Sequence, residues 1–141
     1  MKIWINVIGA LAIAGIGFLV FRSISNNTKQ PRPSNEQIKT SLLSAIPHAY
    51  ESGKVDFLDK TIYAAASTTV ISSGKDAGTD IANNVTQLGW KKTDARLIRT
   101  AVFCKSPMVL KVVGPTLLSG DRRSYYLEAS WGNYSSYCGN L

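Results

Sequence analysis

The chain has 141 residues, of which 16 are lysine or arginine and 9 are aspartate or glutamate, with one histidine and two cysteines. This length is typical of one domain. The scarcity of histidine and cysteine argues against a zinc site, which needs three or four nitrogen, sulfur or oxygen ligands. It also argues against Ser–His or Cys–His catalysis, because the lone His48 lies beside Pro47 at a predicted helix end. We therefore expect a protein that is not an enzyme and that uses no cofactor, metal or small-molecule substrate.

The N-terminal part of the chain contains an apolar run, residues 3–21, with one polar interruption and no charge. A helix of that length spans about 28 Å, close to the hydrocarbon thickness of a bilayer. We predict a transmembrane anchor in contact with the lipid bilayer, then a polar linker, then one folded domain, over residues 1–22, 23–33 and 34–141. A signal peptide cleaved after Ala14 is the alternative.

The net charge of +7 is unevenly distributed. Four of the basic residues lie in the first 33 positions, which contain no acid and flank the predicted anchor, where anionic headgroups attract positive charge. Net charge is therefore poor support for nucleic-acid binding, which we do not expect. Within the domain, residues 34–88 carry 4 basic and 6 acidic side chains, whereas residues 89–141 carry 8 and 3.

The compartment is predicted from two opposing features. The basic residues that flank the apolar run do not favour export of the domain by the positive-inside rule. Two cysteines, in contrast, are compatible with a disulfide and an oxidising compartment. We expect a single-pass protein of the bacterial inner membrane, with its C-terminal domain in the periplasm.

The first part of the domain is predicted to be helical. Ser34 and Gln37 have the spacing of a capping box, and an apolar stripe at helical spacing follows before Pro47, made of Ile38, Leu42, Ala45 and Ile46. Residues 55–67 favour a second helix through apolar spacing and a run of alanines, with a strand over residues 62–71 as the alternative. Ile81, Val85 and Leu88 predict a third helix that ends at Gly89.

The second part of the domain alternates with period two, which is typical of strands. Strands are predicted over Ala95 to Lys105, over Met108 to Val113, where Gly114-Pro115 breaks the pattern, and over Tyr125 to Trp131. The fold class is therefore α+β: an N-terminal transmembrane helix, then two to three helices packed on one face of an antiparallel sheet of three or four strands.

The C-terminal segment combines a predicted core strand with candidate binding residues. Tyr125, Leu127, Ala129 and Trp131 are expected on the core face, and a polar turn after Gly132 is expected to return Cys138 towards Cys104 to form a disulfide. The remaining aromatic and basic side chains are of the types that dominate protein interfaces. The partner-binding candidates are Arg122, Arg123, Tyr126, Tyr134 and Tyr137.

These features together predict a membrane-tethered, non-enzymatic protein-binding domain of the cell envelope. The favoured role is that of an immunity or inhibitor protein that neutralises a toxin or hydrolase. The alternative is an accessory or assembly subunit of a multiprotein membrane complex. A small envelope enzyme that uses surface carboxylates or a tyrosine is the less favoured third class.

Overall fold

The computed structural model describes residues 31–94 and 97–139. The predicted anchor and most of the linker lie outside this range. No helix in the described part is long and apolar enough to cross a membrane.

The first helix, α1, covers Asn35–Ser44 and begins as the capping box predicts. The backbone N–H of Gln37 donates to Ser34 Oγ (3.1 Å), and the backbone N–H of Ser34 donates to Gln37 Oε1 (2.7 Å). The first four backbone N–H groups of a helix have no acceptor within the helix, and the capping box supplies an acceptor for two of them. The predicted apolar stripe is buried, and its last two members lie just beyond the helix end.

The predicted second helix is wrong, and the strand alternative is correct. The segment forms the hairpin of β1, Asp56–Lys60, and β2, Tyr63–Ser73. The alanines have high helix propensity, but Ala64 and Ala66 are buried in the same apolar cluster as the α1 side chains. Small side chains on β2 let α1 lie close to the sheet, and sheet pairing on both sides of β2 overrides the local preference.

The third predicted helix is confirmed as α2, Ala77–Gln87. Asp76 caps its start by accepting from the backbone N–H of Gly78 (3.1 Å). Ile81 and Val85 are fully buried, and Gly89 has the positive φ of 82° that a glycine tolerates after a helix end. Leu88, which was placed on the same face, is exposed.

The remaining elements are β3, β4, β5, β6 and a short helix α3, over Lys91–Lys92, Thr100–Lys105, Met108–Leu117, Arg122–Trp131 and Tyr134–Cys138. β4 starts later than predicted because Arg99 adopts a positive φ of 54° that turns the chain. Gly114-Pro115 forms an irregularity within β5 and does not end it. The polar turn predicted after Gly132 is instead α3.

The six strands of the described part form one antiparallel sheet in the order β1-β2-β6-β5-β4-β3. It is larger than the predicted three or four strands, because β1 and β2 come from the segment interpreted as a helix and β3 is too short to show a period. Side chains of α1 and α2 share one core cluster with alternate residues of β2, β4, β5 and β6. We call this side of the sheet the helix face and the opposite side the open face.

The chain enters the domain at the end of the sheet where β1 and β6 finish. The Arg32 guanidinium forms an ion pair with Asp59, donates to the backbone carbonyl of Lys60 (3.3 Å) and lies 5.8 Å from the centroid of the Trp131 ring. We call this the linker end. The opposite end, where β2 and β5 finish and β4 and β6 begin, is the far end.

Candidate functional site

The open face is divided into a covered and an uncovered part. Helix α3 lies against β4 and β5, where Cys138 is joined to Cys104, with Cα atoms 6.0 Å apart, as the sequence predicts. These cysteines and two buried valines form a second small apolar cluster, against which Tyr134 and Tyr137 pack. Ser130 at the linker end of β6 is also buried, whereas no described helix covers the open face of β1, of β2 or of the rest of β6.

An ion pair lies on the open face where the covered part meets the uncovered part. Lys111 of β5 and Glu128 of β6 are paired in register, and Lys111 Nζ lies 3.2 Å from Glu128 Oε1. Their side chains are only 19% and 18% exposed. A pair that is this desolvated is costly unless hydrogen bonds satisfy it.

Three tyrosines surround this pair. The Tyr63 hydroxyl donates to Glu128 Oε1 (2.9 Å), and Lys111 Nζ lies 4.7 Å from the centroid of the Tyr137 ring, a cation–π distance. The Tyr126 hydroxyl is 3.5 Å from Glu128 Oε2, at the limit of hydrogen bonding. We call Lys111, Glu128 and these three aromatic residues the tyrosine cluster.

The pKa values within the cluster follow from its burial and charges. Burial raises the pKa of Tyr63, and the negative charge of Glu128 raises it further. Burial acts to lower the pKa of Lys111, but the attraction of Glu128 outweighs it, so that this pKa is raised. Lys111 is therefore charged and Tyr63 neutral at physiological pH, and both donate a hydrogen bond to Glu128 Oε1. Side chains that are fixed and whose protonation states are stable in this way are better suited to binding a partner than to transferring protons.

Exposed apolar side chains adjoin the cluster on the uncovered part. Leu58 of β1, Ile71 of β2 and Tyr126 of β6 all point to the open face and are 47%, 43% and 42% exposed. Between them the strands carry the small side chains of Ala65 and Ser67. The result is a shallow sheet surface with aromatic and aliphatic groups around a fixed polar centre.

The structure brings together some of the five predicted partner-binding residues and separates others. Tyr126 and Tyr137 belong to the tyrosine cluster, and Tyr134 packs beside the disulfide. Arg122 is exposed on the open face but lies at the far end, four residues along β6 from Tyr126. Arg123 has the opposite orientation and is half-buried on the helix face.

Three residues of the cluster were not predicted. Tyr63 could not be assigned to a sheet face because the sequence predicts a helix for its segment. Lys111 and Glu128 each lie in a predicted strand, and their pairing depends on the β5–β6 register. A search for opposite charges at outward positions of consecutive antiparallel strands would have found them.

In residues 31–94 and 97–139, no three His, Cys, Asp or Glu side chains lie close enough to hold a metal ion. Comparison of the chain with protein-family models, curated proteins and solved structures gives no match.

Proposed function

We propose that this chain is a membrane-tethered, non-enzymatic protein-binding domain of the bacterial cell envelope, and that it acts as an immunity or inhibitor protein. The observation that carries the proposal is the tyrosine cluster on the uncovered open face. Its tyrosines are of the residue type most enriched in interface hot spots, together with Trp and Arg. A tether over residues 3–21 would keep the domain beside the membrane.

The energetics of the surface favour binding to another folded protein. The Lys111–Glu128 pair and Tyr63 already order one another, so these three side chains lose little conformational entropy when a partner binds them. The disulfide fixes α3, and with it Tyr137, at the border between the covered and uncovered parts of the open face. Exposed Ile71 and Tyr126 supply apolar area that a partner would remove from water.

The test uses matched substitutions of one residue type on two surfaces of the full chain. Ile71→Arg places a charge on the open face, whereas Ile62→Arg places it on the exposed turn of the β1–β2 hairpin. The full chain is extracted from its native membrane in mild detergent, and co-purifying proteins are quantified by mass spectrometry. We expect Ile71→Arg to reduce the amount of one stoichiometric soluble partner about tenfold or more, and Ile62→Arg to leave it unchanged.

The identity of what is captured separates the two protein-binding roles. A single soluble partner whose own toxic or hydrolytic activity is inhibited by the purified chain supports the immunity role. Several membrane proteins captured through the anchor, and insensitive to Ile71→Arg, would support the assembly role and contradict our proposal. If the two arginine variants capture equal amounts of the partner, the open face is not the interface.

A further inference from the structure

A second feature lies on the helix face, on the other side of the sheet from the tyrosine cluster. A cleft of about 410 Å³ opens at the far end, between the start of α2 and the strands β4 and β5. Apolar groups form much of its wall, including Ala82, Ala101, Val112 and Pro115.

Two cations also line the cleft. Lys92 of β3 and Arg99 are both exposed, and neither forms an ion pair with another residue of the described part. A guanidinium presents its donors in a planar fork that matches a carboxylate. Two unpaired cations beside apolar walls complement a ligand with one anionic and one apolar part.

Arg99 has a backbone conformation that residues other than glycine rarely adopt. Its φ is 54°, and its carbonyl accepts from the backbone N–H of Gly114 (2.9 Å), a second residue of the cleft. A non-glycine residue at positive φ persists only where its surroundings fix it, and such residues are concentrated at functional sites. The turn before β4 therefore keeps this arginine among the lining residues.

One carboxylate, that of Asp76, also lines the cleft, and its charge is already compensated. Asp76 Oδ1 accepts from the Tyr125 hydroxyl (2.9 Å) and the Gly78 N–H (3.1 Å), and Oδ2 accepts from the Thr79 hydroxyl (2.8 Å). It also lies at the positive end of the α2 dipole. Asp76 thus has its own partners and leaves Lys92 and Arg99 available to an incoming anion.

We propose that this cleft binds an apolar group that carries a carboxylate, with the carboxylate between Lys92 and Arg99 and the apolar part over Ala101 and Val112. Two sources share this chemistry: the C-terminal residue of a polypeptide and a free aliphatic acid.

The test titrates the full-length, ¹⁵N-labelled chain in lipid nanodiscs with small probes. N-acetyl-leucine represents a chain terminus and octanoate a free acid, and their uncharged amides are the controls. We expect saturable shifts of the Thr79, Ala101 and Val112 amide signals, with a Kd on the order of millimolar for a ligand of this size. The amides should bind at least fivefold more weakly.

Charge-neutral variants locate the site. Lys92→Gln and Arg99→Gln should each weaken binding about three- to tenfold. Lys91→Gln is the matched control, because Lys91 belongs to the same two-residue strand but points to the open face. Tighter binding of N-acetyl-leucine assigns the site to polypeptide ends, and tighter binding of octanoate assigns it to free acids. No saturable shift with either acid, equal binding of acids and amides, or an equal effect of Lys91→Gln would overturn the proposal.

Discussion

The two faces of this sheet are made from the same strands but are used differently. On the helix face, most alternate residues of β2, β5 and β6 are apolar and buried in one cluster with α1 and α2, and Thr68 and Ser72 are the buried polar exceptions on β2. On the open face, the intervening positions carry an ion pair, hydroxyl groups and half-exposed apolar side chains. The comparison indicates that the helix face supplies most of the stability, which leaves the open face free to hold polar groups in fixed positions.

The sharpest test of this comparison uses two adjacent tyrosines that point to opposite faces. Tyr125 is 2% exposed on the helix face and donates to Asp76, whereas Tyr126 is half-exposed on the open face. Tyr125→Ala should lower the free energy of unfolding by about 3–5 kcal/mol, because it creates a cavity and removes a hydrogen bond. Tyr126→Ala should cost less than about 1 kcal/mol. Urea denaturation measures both, and equal losses would contradict the assignment of the faces.

The disulfide is expected to have the next largest effect, and it acts on the covered part of the open face. Replacing Cys104 and Cys138 together by alanine should lower the free energy of unfolding by about 3–4 kcal/mol, because the unfolded chain is no longer restricted. α3 has five residues and cannot be stable by itself, so Tyr137 should lose its position over Lys111. A reductant should destabilise the wild-type chain and leave the double variant unchanged. A wild-type chain that is insensitive to reductant would sink this prediction.

The ion pair on the open face should contribute least. Glu128→Gln should cost about 1 kcal/mol at neutral pH, since it leaves Lys111 without its counter-charge in a largely desolvated position. Glu36→Gln is the control, because Glu36 pairs with Lys39 on the exposed side of α1 and should matter by only a few tenths of a kcal/mol.

The same variant has a signature in its pH dependence. The pKa values of Tyr63 and Lys111 are raised in the folded chain, so the folded state holds protons that the unfolded state releases first. Their contribution is complete below about pH 10, the ordinary tyrosine pKa, and is lost as the pH rises above it. Removing the charge of Glu128 should make this alkaline loss smaller. Parallel stability curves for the wild-type and Glu128→Gln chains between pH 9 and 11 would argue against the coupling.

Local patterns predicted local structure well. The capping box at Ser34, the burial of Ile81 and Val85 on one face of α2 and the alternation of β6 each depend on neighbours within a few residues, and all three are confirmed. Leu88, the third residue predicted on that face, is exposed. The cysteine pairing was also predicted, because the chain offers only one pair. The segment at residues 55–67 was misinterpreted because alanine favours helices in isolation, whereas here it provides room for α1 on the sheet.

The candidate sites were predicted less well, because they depend on contacts between distant parts of the chain. Tyr63 and Glu128 are 65 residues apart, and they meet only through the pairing of β2 with β6. Arg99 lines its cleft because of a positive φ that no sequence period indicates. Tyr126, in contrast, could be assigned to the outer face from alternation alone.

The central position of β6 has a consequence for how the protein folds. β6 is the last of these strands in the sequence, yet it lies between β2 and β5 in the sheet. β2 can therefore pair with β1 early, but its pairing with β6 must wait until the chain has been made as far as Trp131. Strand pairs this far apart in sequence form slowly, because loop-closure entropy is lost before the contacts are gained. The β1–β2 hairpin alone is a two-stranded sheet, which is marginally stable in water, so we expect the domain to fold cooperatively only after β6 has been synthesised.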